Sequence, residues 1–140
     1  MWRLDRSNSG DLIEMLRPHA RDPDWDTAHV GEGWRPLVEE CHERLAAVLP
    51  DYELLAIKQK EGILAYQAFP RPWREGRHSW TRQESRDLGM ITSDAHIRSE
   101  STCEWCGSPA SLREWRSHVL TLCEACDSRF PDPPVPRAGR

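Results

Sequence analysis

The chain has 140 residues, 38% of them apolar, with a formal net charge of −4. That supports one modest core with a small appendage, and the acidic balance gives no global pull toward DNA. No stretch approaches the ~20 apolar residues of a membrane span, and the opening MWRLDRSNSG lacks a signal-type run, so a cytoplasmic location with reduced thiols is expected. Seven tryptophans must find either a core or a partner.

Ser9 is placed to cap a short helix over GDLIEMLR, which Pro18 stops. Residues 19–33 read as loop, because Pro23, Gly31 and Gly33 punctuate a polar stretch with no period. A stronger helix is predicted from Pro36 to Leu49. Its residues Leu37, Val38, Cys41, Leu45, Val48 and Leu49 fall within one stripe about 120° wide. Glu39, Glu40, Glu43 and Arg44 should face water, as should half of His42 at the stripe's edge. Cys41, mid-stripe, reads as a small core residue rather than a fifth ligand or catalytic thiol.

Aliphatic and aromatic runs on either side of Glu61-Gly62 predict a β-hairpin, with strands near Glu53–Lys60 and Ile63–Phe69. Alternation puts Lys58 and Lys60 on one face of the first strand, and Leu64, Tyr66 and Ala68 on one face of the second. Pro70 and Pro72 then open an arginine-rich segment. Between Phe69 and Arg86, the arginines 71, 74, 77, 82 and 86 outweigh Glu75 and Glu84, leaving +3 beside Trp73 and Trp80. Thr81 and Glu84 form a capping box for a helix running through Gly89 toward Ser99. The end, PDPPVPRAGR, reads as an extended, disordered proline-rich tail.

The chemistry lies in Cys103-x-x-Cys106 and Cys123-x-x-Cys126, separated by sixteen residues. A C-x-x-C turn lets two sulfurs converge on one ion, and a second turn completes a tetrahedron with zinc–sulfur bonds of ~2.3 Å. Gly107 allows the chain to turn back after the first pair. SLREW and VLTL can form two short strands between the pairs. The cluster Leu112, Trp115, Val119, Leu120 and Leu122 should pack beside the ion. This order resembles the zinc-ribbon and treble-clef modules; a helical turn after Cys123 would favour treble clef. Structural disulfides fit poorly, since the cysteine count is odd, and no βαβ setting suggests a redox site. Four thiolates leave no position for a catalytic water, so the expected cofactor is one structural zinc.

GWRPLVEECHERL, IKQKEGILAY, STCEWCG and LTLCEAC, in this order, resemble a group of small phage- and prophage-associated proteins with no assigned activity. Gly33, Trp34, Lys58, Lys60, Gly62, Leu64, Tyr66 and the four cysteines carry the resemblance, across residues 33–127. Glu61 departs from that pattern, which has an aromatic before the glycine, and the N-terminal segment and the arginine–tryptophan loop are additions. The resemblance implies an α+β domain with a zinc module, and no activity.

The resulting expectation is an α+β fold in which a helix packs on a β-hairpin, with a C-terminal four-cysteine zinc ribbon or treble-clef-like module. Its parts would be an extension at 1–33, an α+β domain at 34–98, the zinc module at 99–130 and the tail at 131–140. Three functions compete. A non-catalytic adaptor or regulator would bind another protein through Arg71, Trp73, Arg74, Arg77, Trp80 and Arg82, with Lys58 and Lys60 nearby, because tryptophan and arginine anchor interfaces. Equally, Trp73 and Trp80 could be core residues closing over the hairpin. A nucleic-acid groove on loop 71–86 is the alternative, since arginines can hold phosphates while aromatics stack on bases. Residues 21–44, with three arginines against seven acids, work against a long duplex. Enzymatic activity ranks third: the six histidines are scattered, and Asp22, Asp24 and His29 read as a solvated turn rather than a hydrolase site. No membrane partner or small-molecule substrate is indicated.

Overall fold

The computed structural model describes residues 2–72 and 80–132. Among them the fold is α+β, with four α-helices and two small antiparallel sheets: α1 (Arg6–Leu16), α2 (Arg35–Val48), β1 (Glu53–Lys60), β2 (Ile63–Phe69), α3 (Arg82–Ser99), β3 (Ser111–Arg113), β4 (Leu120–Leu122) and α4 (Glu124–Arg129). Trp73, Arg74 and Arg77 lie outside the described residues, as does most of the proline-rich tail.

α1 begins earlier than the sequence suggests. Asp5, not Ser9, is the N-cap: its carboxylate accepts the Ser7 amide while Asn8 reaches back to the Asp5 amide. Ser9 instead marks a kink, with φ −146° and ψ 40°, and its buried hydroxyl accepts from the Arg35 guanidinium. α2 buries Leu37, Val38, Cys41 and Leu45. Two assignments on this helix need correction. Val48 is 52% exposed, and His42 is buried rather than half-exposed.

The β1–β2 hairpin turns on two residues with positive φ, Glu61 (53°) and Gly62 (82°), the backbone of a type I′ turn. Leu54 and Ile57 of β1 and Leu64 and Tyr66 of β2 join α2 in one core, and a register shift between Leu54 and Ala56 keeps both β1 side chains inward. Lys58 and Lys60 are on the outer face. α3 starts at the Thr81–Glu84 capping box, continues unbroken through Gly89, and contributes Ile91 and Ala95 to the same core.

Residues 20–30 are not the featureless loop expected. Ala20 bridges Leu54, His29 bridges Lys58, and Leu4 exchanges two backbone bonds with Ala28 (2.7 and 2.9 Å), extending the hairpin edge. Ala28 and Val30 are fully buried. Short bridges leave no periodic apolar signature, which is why sequence patterning passes over them.

Under α2 lies a polar chain inside the apolar core. His42 Nδ1 is 2.6 Å from the Tyr52 hydroxyl, which is 2.8 Å from that of Tyr66. The His19 ring stacks on Tyr52 at 4.1 Å. Burial first, then the His19 charge, lowers the pKa of His42 below 6.5; burial raises those of the facing Tyr52 and Tyr66 phenols and pushes the Cys41 thiol up to about 12. The unfolded chain therefore takes up a proton at His42 more readily than the folded one. This contribution to stability is complete above pH 6.5 and declines as pH falls through and below it. Denaturant midpoints compared at about pH 7.5 and about pH 5.5 should show this loss in the wild type and a smaller loss in His42→Gln. Equal losses in both proteins would refute the assignment.

Candidate metal centre

Two knuckles and a hairpin build the site. Cys103 and Cys106 flank a turn in which the Gly107 amide donates to the Cys103 carbonyl (2.9 Å), and Gly107 then reverses the chain at φ 82°. β3 and β4 pair with Ser111 opposite Leu122, which delivers the chain to Cys123. Cys123 caps α4, and Cys126 sits in that helix's first turn. The amides of Cys106 and Cys126 donate to the sulfurs of Cys103 (3.5 Å) and Cys123 (3.4 Å).

The four sulfurs lie within 4.8 Å of one another, and those of Cys106 and Cys123 are 3.6 Å apart. A tetrahedron with ~2.3 Å metal–sulfur bonds has edges of about 3.8 Å, whereas a disulfide requires ~2.05 Å. The residues fit one metal ion. Cys103 and Cys126 are buried; Cys106 is exposed and Cys123 half-exposed. The Ser108 hydroxyl and amide pull the Cys106 thiol down to about 6, toward the thiolate that a metal requires.

The shell around the sulfurs differs from the one the sequence suggests. Leu120 and Leu122 pack against Cys103 and Cys126, but Trp115 is 63% exposed, with its indole N–H on Asp127 (3.1 Å). The aromatic cover comes instead from three distant rings. Trp2, Trp105 and Phe130 meet pairwise at centroid separations of 5.3–5.4 Å, so the N-terminal strand of chain closes over the site. Arg116, in the turn between β3 and β4, is buried. Its guanidinium holds the Asp127 carboxylate (2.8 Å) and backbone carbonyls of Asp127 and Phe130 at the end of α4.

The first knuckle is seated on the rest of the protein. The Gly33 amide donates to the Glu104 carbonyl (2.8 Å), the Gly31 amide to Glu104 Oε2 (3.1 Å), and the fully buried Trp34 indole to the Thr102 carbonyl (2.7 Å). Glu104 Oε1 is buried with no hydrogen-bond partner among the described residues, and burial pushes the carboxyl up to about 8. At the far end of the module, the Thr121 hydroxyl donates to the Gly62 carbonyl (2.7 Å), and Ser99 Oγ accepts the Leu64 amide (2.9 Å). The two glycines bracketing Glu32, directly before Trp34, are the one sequence signal for this contact.

Of the residues expected to bind a partner, five are among the described residues: Lys58 and Lys60 on β1, and Arg71, Trp80 and Arg82 around the end of β2 and the start of α3. Lys58, Lys60 and Arg82 are exposed, Arg71 pairs with Glu84 (3.0 Å), and Trp80 stacks on Phe69 at 5.3 Å. Asp22 and Asp24 form an exposed turn, with the Asp24 amide on Asp22 Oδ1.

Fold and site define an α+β protein with a C-terminal four-cysteine centre able to hold a metal ion. No protein-family model, curated protein or solved structure matches the chain. No helix among the described residues is long and apolar enough to cross a membrane.

Proposed function

We infer that the protein is a non-catalytic zinc protein acting as an adaptor or regulator that binds another protein. The observation that carries this reading is the sulfur set. Four cysteine sulfurs at tetrahedral spacing favour zinc, and they fill its coordination sphere with none left for a reacting water. The helix after the second pair favours the treble-clef-like arrangement over a plain ribbon. The ion's role is to fix the module against Gly31, Gly33 and Trp34, since a segment this short cannot bury enough apolar surface alone. The sequence resemblance supports a phage or mobile-element setting.

Purified protein is expected to carry about one zinc per chain by elemental analysis, and cobalt in its place should give the visible bands of a tetrahedral thiolate site. Iron, or no metal, would refute the zinc reading. Lys58 and Lys60, exposed side by side on the hairpin's outer face, favour nucleic acid as the alternative target. A pull-down from the source cell decides between them. A protein retained after nuclease treatment supports the adaptor; one lost on nuclease treatment supports the alternative.

A further inference from the structure

Where the β1–β2 turn meets the β3–β4 hairpin, the surface folds into an open groove of about 640 Å³. Its floor is apolar, made by half-buried Ile63, Leu112 and Val119. Its rim carries two exposed carboxylates, Glu61 and Glu114, and neither has a hydrogen bond or ion pair among the described residues. The arginines nearest Glu114 in sequence do not neutralise it: Arg113 is drawn to the Leu122 carbonyl (3.0 Å) and Arg116 to Asp127 (2.8 Å), away from the rim. Ser117, also on the groove, has its amide and hydroxyl taken by a third carboxylate, Asp132 (3.0 and 2.9 Å).

We propose that this groove binds an extended segment of a partner protein in which aliphatic side chains alternate with arginine or lysine. The aliphatic side chains meet the floor, and the cations meet Glu61 and Glu114. The volume lies within the ~300–1,000 Å³ of ligand-binding clefts. Charge complementarity selects the occupant: an apolar trough walled by unpaired carboxylates repels acidic segments and nucleic-acid phosphates and attracts cations on apolar stems. The groove also depends on the metal centre. One wall is the β1–β2 turn and the other the hairpin between the two cysteine pairs, and they are joined where Gly62 meets the Leu112 side chain, the Val119 backbone and the Thr121 hydroxyl. Glu61 is itself informative, because its φ of 53° suits asparagine or glycine better than glutamate. This inference deepens the adaptor reading and rests on it.

The probe is a fluorescein-labelled hexapeptide of alternating leucine and arginine, with alternating leucine–glutamate and glycine–arginine hexapeptides as controls. Zinc-loaded full-length protein is expected to bind the first and to bind each control about tenfold more weakly or not at all. In Glu61→Asn with Glu114→Gln the affinity should fall about tenfold, while the melting temperature stays level or rises, because asparagine suits the turn. A purely structural role for Glu61 would not give that divergence. Affinity within about twofold of wild type in the double variant, or equal binding of the glycine–arginine control, would overturn the proposal. So would binding seen only after residues 133–140 are removed, which would assign the groove to the chain's own Arg137 and Arg140. A nuclease-resistant protein captured equally by wild type and the double variant would leave the adaptor standing and sink the groove. Loss of capture in the double variant, with zinc content unchanged, supports both.

Discussion

Cys126→Ser is expected to abolish metal binding and to unfold the module from Ser99 to Phe130. Metal binding to a four-thiolate site contributes on the order of 10 kcal/mol, and Cys126 is one of its two buried ligands. The damage should reach beyond the module. The indole of Trp34, wholly buried, and the amides of Gly31 and Gly33 all find their partners on the first knuckle. Loss of the knuckle would leave those donors to water and uncover the Trp2–Trp105–Phe130 cluster. Tryptophan emission should therefore shift to the red on chelation of the wild type, and the variant should show that shift without chelator. Cys41→Ala supplies the contrast. Its thiol is in the main core, held un-ionised by burial, so the variant should keep its metal and lose only about 1 kcal/mol. A chelated wild type with unchanged emission and near-ultraviolet dichroism would refute the structural role of the ion.

Gly33→Ala is expected to cost at least about 3 kcal/mol, although it adds a single methyl. A Cβ at Gly33 would lie 2.1 Å from the Cys103 carbonyl oxygen and 2.6 Å from the Gly107 amide nitrogen. Both obstacles are backbone atoms of the knuckle, which cannot rotate aside as a flexible side chain would. The module must lift off Trp34 or distort the turn that aims the sulfurs, so metal affinity, measured by competition with a chromophoric chelator, should fall with stability. Gly89→Ala should do the opposite. Gly89 lies within α3 with nothing inside 4 Å of the added atom, so alanine there should gain about 0.5–1 kcal/mol from helix propensity. Urea midpoints moving in opposite directions would establish that knuckle contact, rather than glycine content, sets the stability. Equal effects would reject it.

These two experiments test different things. The cysteine variant asks whether the metal holds the module together. The glycine variant leaves the ligands intact and asks whether the module must be seated on the protein for either part to be stable. The groove between the hairpins should fail in both, because its walls come one from each side of that seat.

Much of this architecture follows from local rules. The paired C-x-x-C spacing, the Glu61-Gly62 turn, the Thr81–Glu84 cap and the apolar stripe of α2 each depend on residues close in sequence. Such patterns are set by backbone periodicity, by hydrogen bonds within a turn, and by the preference of sulfur for one ion, so composition and spacing are sufficient to find them. The strand limits of the hairpin agree with the structure to the residue.

Partners distant along the chain were beyond the reach of those rules. His42 sits at the margin of a helical stripe, and the Tyr52–Tyr66 pair beneath it gives its buried ring a polar partner. Val48, well within the stripe, is exposed, because it lines an open groove between α2 and α3 beside Met90 and Ile91 instead of entering the core. Trp115 is near the cysteines in sequence, yet Trp2, more than a hundred residues from them, takes the place beside the metal module's core. Glu104 is buried because Gly31 lies above it, and Arg116 because the end of α4 presents bare carbonyls. The elements and the four-cysteine cluster were legible in the amino-acid order, since both follow from short-range spacing in the chain. Which side chains are covered, and what surface is left open between the two hairpins, depends on packing, which brings together residues that no local period connects.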